Sequence, residues 1–219
     1  MPARVMLVDD DPLVRTGLRF LLDSTDDLTV VAEAGDGDEA VSTQQTTPVD
    51  VVLMDLRMPR VDGITATRQL RVLPHPPQVI ALTTWDVDDA VVAALDAGAS
   101  GFLLKTSSPQ EILSAIRATL VGDAVLSPRS TRQLLDHLAR DSASEQRREA
   151  EQAVGTLTER EREVAAAAGR GLTNKEIGGE LYLAEATVKA HLSTIQTKLG
   201  VANRVNVAVL AERAGLLRP

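Results

Sequence analysis

Val51-Val52-Leu53-Met54-Asp55-Leu56-Arg57-Met58-Pro59 is the stretch on which the fold turns. An apolar run that begins at Val49 and is interrupted only by Asp50 ends in one carboxylate, followed by a turn. A near-continuous β-branched and aliphatic run is what a strand covered on both faces requires, as in the parallel sheets of α/β proteins. Ligand sites in such sheets lie just beyond the carboxyl ends of the strands, so Asp55 stands where chemistry would occur. Taken singly it has a plainer reading, an Asp that caps a loop.

Working outward, a second strand tip carries carboxylates. Residues 4–8, Arg-Val-Met-Leu-Val, are a short apolar strand ending in Asp9-Asp10-Asp11. Pro12 then opens a helix with Val14, Leu18, Leu21 and Leu22 on one face. The alternation continues with strands near 28–32, 49–54, 79–82 and 101–104. Helices are expected near 38–45, 63–73, 87–97 and 109–121, the last opened by the capping box Ser108-Pro109-Gln110-Glu111. Five strands alternating with helices predict a doubly wound parallel sheet, because each parallel crossover needs a helix.

Charge divides the chain further. Residues 1–122 carry 9 Lys and Arg against 18 Asp and Glu, net −9, whereas residues 156–219 carry 9 against 7, net +2. The asymmetry predicts an acidic body and a separate, mildly basic C-terminal module. With no cysteine, disulfide frameworks and thiolate metal sites are excluded. No signal sequence and no apolar stretch of membrane-spanning length stands in the chain, so the expectation is a cytoplasmic protein with no membrane partner.

At one edge of the predicted sheet, Asp9, Asp10 and Asp55 meet Thr83, after the fourth strand, and Lys105, after the fifth. Crowded carboxylates repel one another, and a hard divalent cation such as Mg²⁺ relieves the repulsion with oxygen ligands. A hydroxyl and an ammonium opposite them suit a phosphoryl group, with Asp55 as the nucleophile that forms an aspartyl phosphate.

These residues resemble the receiver domain of bacterial two-component response regulators. The motifs that carry it are Val8-Asp9-Asp10-Asp11-Pro12, Met54-Asp55-Leu56-Arg57-Met58-Pro59-x-x-Asp62-Gly63, Thr83-Thr84 and Gly98-Ala99-x-Gly101-Phe102-Leu103-Leu104-Lys105. The resemblance implies Asp55 as phosphoacceptor, with Asp10, Asp55 and the Arg57 backbone carbonyl on Mg²⁺ and Asp9 helping through water. It assigns Thr83 and Lys105 to the phosphoryl oxygens and makes Phe102 the aromatic whose rotamer reports the state. Trp85, two residues beyond Thr83, is expected beside that switch.

From 123 to 155 the pattern loosens. A short amphipathic helix, Thr131 to Ala139, precedes a Ser-, Glu-, Gln- and Arg-rich stretch, 141–153, read as an interdomain linker. A solvated continuation of one long helix is the alternative, since Glu, Gln, Arg and Ala are good helix formers. Four helices then follow. Capping boxes at Thr158-x-x-Glu161 and Thr173-x-x-Glu176 open the first two, which run to Gly169 and about Leu181. The third, Glu185 to Leu199, has Val188, Leu192, Ile195 and Leu199 on its inner face and Lys189, His191 and Ser193 towards solvent. The fourth, 204–214, offers Val205, Val209 and Leu210.

Two helices joined by a tight turn fit a helix-turn-helix whose second helix enters the major groove. Residues 156–217 resemble the LuxR-type DNA-binding domain through Leu157-Thr158-x-Arg160-Glu161, Gly171-Leu172-Thr173-Asn174-Lys175-Glu176-Ile177, Glu185-Ala186-Thr187-Val188-Lys189-x-His191 and Lys198-Leu199-Gly200-Val201. That resemblance implies Lys189, Ala190 and Ser193 at base edges and Asn174, Lys175, Thr187 and Arg204 on phosphates. Three features depart from the pattern: Ala184 at a helix start where Ser or Thr is usual, Gly178-Gly179 inside a helix, and the neutral Ser193 where a basic residue can occur.

The whole reading is a NarL/FixJ-type response regulator: receiver 1–122, linker 123–155 and helix-turn-helix domain 156–219. Its expected partners are a sensor histidine kinase, double-stranded DNA and a second copy on activation, with RNA polymerase as a further candidate, and it is not expected to be an enzyme. Two rivals are weighed: a metal-dependent phosphohydrolase using Asp9 and Asp11, against which Pro12-Leu13 and the lack of an acidic lid argue, and an orphan receiver that acts without phosphate as an interaction domain, against which the intact acidic cluster argues.

Overall fold

The computed structural model describes residues 1–83, 88–126 and 144–217. Trp85 and the expected helix Thr131 to Ala139 lie outside the described residues. The five expected strands are Ala3–Val8 (β1), Leu28–Ala34 (β2), Val51–Asp55 (β3), Gln78–Thr83 (β4) and Gly101–Leu104 (β5). All pair in parallel, in the order β2-β1-β3-β4-β5. A sixth strand, Val125–Leu126 (β6), extends the sheet by pairing with Gly101 and Phe102. Two residues are too few to show a period, so a strand count from sequence stops at five.

Between the strands run Pro12–Asp23 (α1), Gly37–Thr46 (α2), Gly63–Arg71 (α3), Asp88–Asp96 (α4) and Pro109–Leu120 (α5). The two-residue side-chain period of a strand splits the core into two. Val5, Leu7, Leu53 and Leu82 pack with Leu22 of α1 and Ile112 and Ile116 of α5. Met6, Val8, Val52 and Met54 pack with Ala40 of α2 and Ala66 and Leu70 of α3. Leu53, fully buried, contributes about 1.5–3 kcal/mol by this transfer. The predicted cap of α5 is present: the Ser108 N–H donates to Glu111 Oε2 at 2.7 Å, and the Glu111 N–H to Ser108 Oγ at 3.3 Å.

Register sets the functional edge. Val8 lies opposite Met54, so Asp9 and Asp55 emerge level at the tips of β1 and β3. Thr83 lies opposite Leu104, which brings Lys105 out beside it, and the Lys105 N–H donates to the Thr83 carbonyl at 2.7 Å.

The sheet with its helices is one compact unit; Val121–Ala124 belong with the second, helical unit. That unit contains Ser144–Gly155 (α6), Glu159–Gly169 (α7), Asn174–Leu181 (α8), Glu185–Leu199 (α9) and Arg204–Arg213 (α10). Helix α6 replaces the later part of the expected linker. Its buried residues Ala150 and Val154, four apart, form a stripe too narrow to read as apolar periodicity. Arg147 and Glu151 pair at 2.9 Å across one turn on its exposed side.

The core of this unit joins Val164 and Ala168 of α7, Ile177 of α8, Val188, Leu192 and Ile195 of α9 and Val207 of α10. On α10 the fully covered residues are Val205, Val207 and Ala211, whereas Val209 and Leu210 are half-buried. The expected face shifts because α10 packs against both α7 and α6.

Both predicted capping boxes form on α7 and α8. The two glycines of α8 differ in kind. A Cβ on Gly178 would lie 2.7 Å from the Leu183 carbonyl oxygen, so the helix-to-turn approach requires glycine there, whereas a Cβ on Gly179 would meet nothing within 4 Å. Tyr182 closes α8 at φ 55°, in the left-handed region, and Ala184 starts α9 without a side-chain cap.

Candidate functional site

The strand tips gather Asp9, Asp10 and Asp55 closely enough that one oxygen of each lies within 4.8 Å of the others. Asp9 and Asp55 are buried, and Asp10 is exposed at the mouth. The Lys105 ammonium reaches between the buried pair, 2.6 Å from Asp9 Oδ2 and 3.0 Å from Asp55 Oδ2. The Asp11 N–H donates to Asp9 Oδ1 at 3.0 Å, and Arg15 Nη1 donates to the Asp9 backbone carbonyl at 2.5 Å. Arg15 is in turn held by Glu33 of β2 at 3.1 Å. Sequence reasoning passed over this Arg15–Glu33 brace, because a charged pair 18 residues apart carries no local signal.

Burial pushes the Asp55 carboxyl above the ordinary aspartate range; Lys105 counters part of this, and the Asp9 charge adds to it. Burial acts to lower the Lys105 ammonium, but Asp9 and Asp55 outweigh it and hold its pKa above the usual lysine value. Asp9 and Asp55 therefore share one ammonium, with the third carboxylate, Asp10, exposed beside them. The donor set is all oxygen, which matches a hard cation such as Mg²⁺ and not a thiolate- or imidazole-seeking metal.

The remaining pocket residues are where the strands deliver them. Thr83 is buried at the end of β4, and Phe102 is fully buried in β5. Arg57 follows two residues after Asp55 with its side chain exposed, and its backbone amide helps favour the ionised Asp55 carboxyl. The loop beyond it closes through Gly63, whose N–H donates to the Leu56 carbonyl at 3.2 Å.

In the helical unit, α8 and α9 form the two-helix element joined at Tyr182. Lys175, Thr187, Lys189, Ala190 and Ser193 are exposed, as a nucleic-acid face requires, and His191 is half-buried. Asn174 and Arg204 depart from the expectation, being 1% and 7% exposed. Arg204 Nη1 donates to Asp123 Oδ1 at 2.9 Å and to Asn174 Oδ1 at 2.8 Å, while its other nitrogen serves the Leu172 carbonyl. Asn174 Nδ2 donates to the Val121 carbonyl at 2.8 Å. Here a carboxylate occupies the cationic group expected on a phosphate. Asp123 lies 81 residues from Arg204, and nothing in its local sequence marks it as that partner.

Comparison with known proteins places these features. Residues 5–117 match the model of the response regulator receiver domain, and residues 155–211 that of the bacterial regulatory proteins of the luxR family. The transcriptional regulatory protein LiaR of Bacillus subtilis is 40% identical over 214 residues, spanning 98% of this chain and 99% of LiaR. The nitrate/nitrite response regulator NarP of Escherichia coli is 40% identical over 209 residues, 95% of this chain and 94% of NarP. Among solved structures, the response regulator ChrA of a heme-sensing two-component system is similar at a TM-score of 0.53 and 40% identity, with 98% of each chain covered.

Proposed function

Because the chain belongs to the two-component response regulators that join a receiver to a LuxR-type DNA-binding domain, we propose that Asp55 accepts a phosphoryl group and that this controls binding of the helical unit to DNA. The observation that carries the reading is the Asp9–Lys105–Asp55 bridge beside Asp10, with Thr83 buried at the neighbouring strand tip.

Asp9, Asp10 and Asp55, with the Arg57 carbonyl, would hold Mg²⁺. When bound, the cation neutralises charge that builds on the transferring phosphoryl oxygens. An Asp55 carboxylate oxygen attacks phosphorus, the P–N bond of a phosphohistidine donor breaks, and the donor nitrogen keeps the electron pair. Asp55 must be ionised to attack, and Lys105 at 3.0 Å stabilises that form. Once Asp55 is phosphorylated, the same ammonium and the Thr83 hydroxyl are placed for the phosphoryl oxygens. Phe102, packed in the next strand, is the side chain that a shift of Thr83 would disturb. The protein acts as its own phosphoacceptor and turns over no metabolite.

On the DNA side, Lys189, Ala190 and Ser193 face base edges from α9, while Lys175 and Thr187 hold phosphates. Asn174 and Arg204 join them when the Asp123 carboxylate gives way to a phosphate oxygen. The active form is a homodimer on two related half-sites, the donor is a sensor histidine kinase, and the protein works in the cytoplasm. Fluorescence anisotropy with duplex DNA, with and without acetyl phosphate and Mg²⁺, tests this reading. Affinity should rise on phosphodonor treatment of the wild type and stay unchanged in Asp55→Asn; a wild type indifferent to the donor would contradict it.

A further inference from the structure

Asp36, at the end of the turn between β2 and α2, is 3% exposed, yet no step above uses it. Its two oxygens are committed to one neighbour. Oδ1 accepts the Val61 N–H at 2.9 Å, and Oδ2 accepts the Arg60 N–H at 3.0 Å. Adjacent, the Gly37 N–H donates to the Val61 carbonyl at 3.1 Å. A Cβ on Gly37 would lie 2.5 Å from that carbonyl oxygen, so only glycine allows the approach.

Arg60 and Val61 belong to the loop that leaves Asp55. This loop supplies Arg57, whose backbone amide favours the ionised Asp55 and whose carbonyl is the cation ligand of the proposed pocket. The loop closes just after β3, where the Gly63 N–H donates to the Leu56 carbonyl. The other contact is Asp36, which reaches it from a different strand connection. Burial works against charge on Asp36, but the Val61 and Arg60 amides, with a smaller contribution from Asp38, overcome it and hold the carboxyl at about 2. At neutral pH it is therefore a full acceptor for both N–H groups. The Arg60 side chain adds an ion pair at 3.5 Å, on an arm that is two-thirds exposed.

We propose that Asp36 is a positioning residue for the phosphoryl-transfer pocket: through the Arg60 and Val61 amides it fixes the loop after β3, and so the Arg57 carbonyl, in the geometry that a divalent cation needs. The proposal rests on the Mg²⁺-assisted reading of the pocket. Groups that orient a metal ligand without touching the metal commonly set affinity, because a ligand held loosely must be ordered when the cation binds.

Calorimetric titration of the whole chain with Mg²⁺ tests it. Asp36→Ala should weaken Mg²⁺ binding about tenfold, in line with the usual cost of losing such a support. Asp36→Asn should fall between, since its amide keeps one accepting oxygen and turns its NH2 towards an N–H donor. Arg60→Ala retains both backbone N–H groups and should match the wild type. Gly37→Ala keeps the carboxylate but displaces Val61, and should weaken Mg²⁺ as Asp36→Ala does.

A loss of folded protein would lower the number of binding sites and leave the affinity of the rest unchanged. A true positioning effect moves the affinity at full stoichiometry. It also raises the Mg²⁺ concentration for half-maximal acetyl phosphate reaction while the rate at saturating Mg²⁺ recovers. Wild-type affinity in Asp36→Ala, or an equal loss in Arg60→Ala, would overturn the inference alone. A wild type that binds no Mg²⁺ would overturn the proposed function and this inference with it.

Discussion

At the tips of β1 and β3, three carboxylates gather at one ammonium that Asp9 and Asp55 contact, whereas the described buried charges of the helical unit, Glu161 and Arg204, each have partners of their own. Glu161 accepts the Thr158 N–H at 2.7 Å and pairs with Lys198 at 2.7 Å. Arg204 is divided among Asp123, Asn174 and the Leu172 carbonyl. The described pocket holds more carboxylates than its one ammonium offsets, whereas the described buried charges of the helical unit are paired and local backbone choices limit it instead. That difference says where each region should respond to mutation.

The largest effect is expected at Lys105. Removing it leaves buried Asp9 and Asp55 uncompensated, and Lys105→Ala should lower the stability of the metal-free protein by roughly 3 kcal/mol, within the range for breaking a buried pair. Mg²⁺ should restore most of the loss. Urea unfolding with and without Mg²⁺ checks this, and a loss that the cation fails to repair would break the contrast with the helical unit.

Next come the two glycines of α8. With open space around it, Gly179→Ala should stabilise the helical unit by about 1 kcal/mol. Gly178→Ala should destabilise it, because the new Cβ meets the Leu183 carbonyl. Thermal unfolding of the two variants should move in opposite directions, and parallel shifts would refute the close-approach explanation. Ala184→Ser supplies the missing cap of α9 and should add up to ~1 kcal/mol in the same assay.

The smallest effect concerns pH. Lys198, with the capping contact of Thr158, holds the Glu161 carboxyl at about 2 against an ordinary 4.5. A depressed carboxylate contributes stability that is complete above 4.5 and is lost as pH falls towards 2. The difference in unfolding midpoint between wild type and Lys198→Ala should therefore be constant near neutrality and close across that acidic window. A difference that persists unchanged to pH 2 would assign Lys198 a packing role only.

How much of this was legible from sequence follows from the same contrast. Asp9, Asp55, Thr83 and Lys105 could be read because each ends an apolar run, and parallel topology brings the ends of such runs to one edge. The Lys105 bridge follows from that convergence. Asn174 and Arg204 were expected on the surface because a helix start shows its residue types but not what covers them; the Val121–Asp123 segment that covers them is remote in sequence. Helix α6 was obscured by its charge, with only Ala150 and Val154 to mark an inner face. Asp36 carries no local signal of its role, which only the placement of the Arg60 and Val61 amides reveals.

The central claim is that Asp55, assisted by its shared ammonium and a divalent cation, is the nucleophile. Intact-mass measurement after incubation with acetyl phosphate tests it most directly. The wild type should gain one phosphoryl group in the presence of Mg²⁺ and none in EDTA, the adduct should be lost at alkaline pH as an acyl phosphate is, and Asp55→Asn should remain unmodified. A stable phosphoryl adduct on Asp55→Asn, or an adduct on the wild type that forms equally well without a divalent cation, would contradict the account.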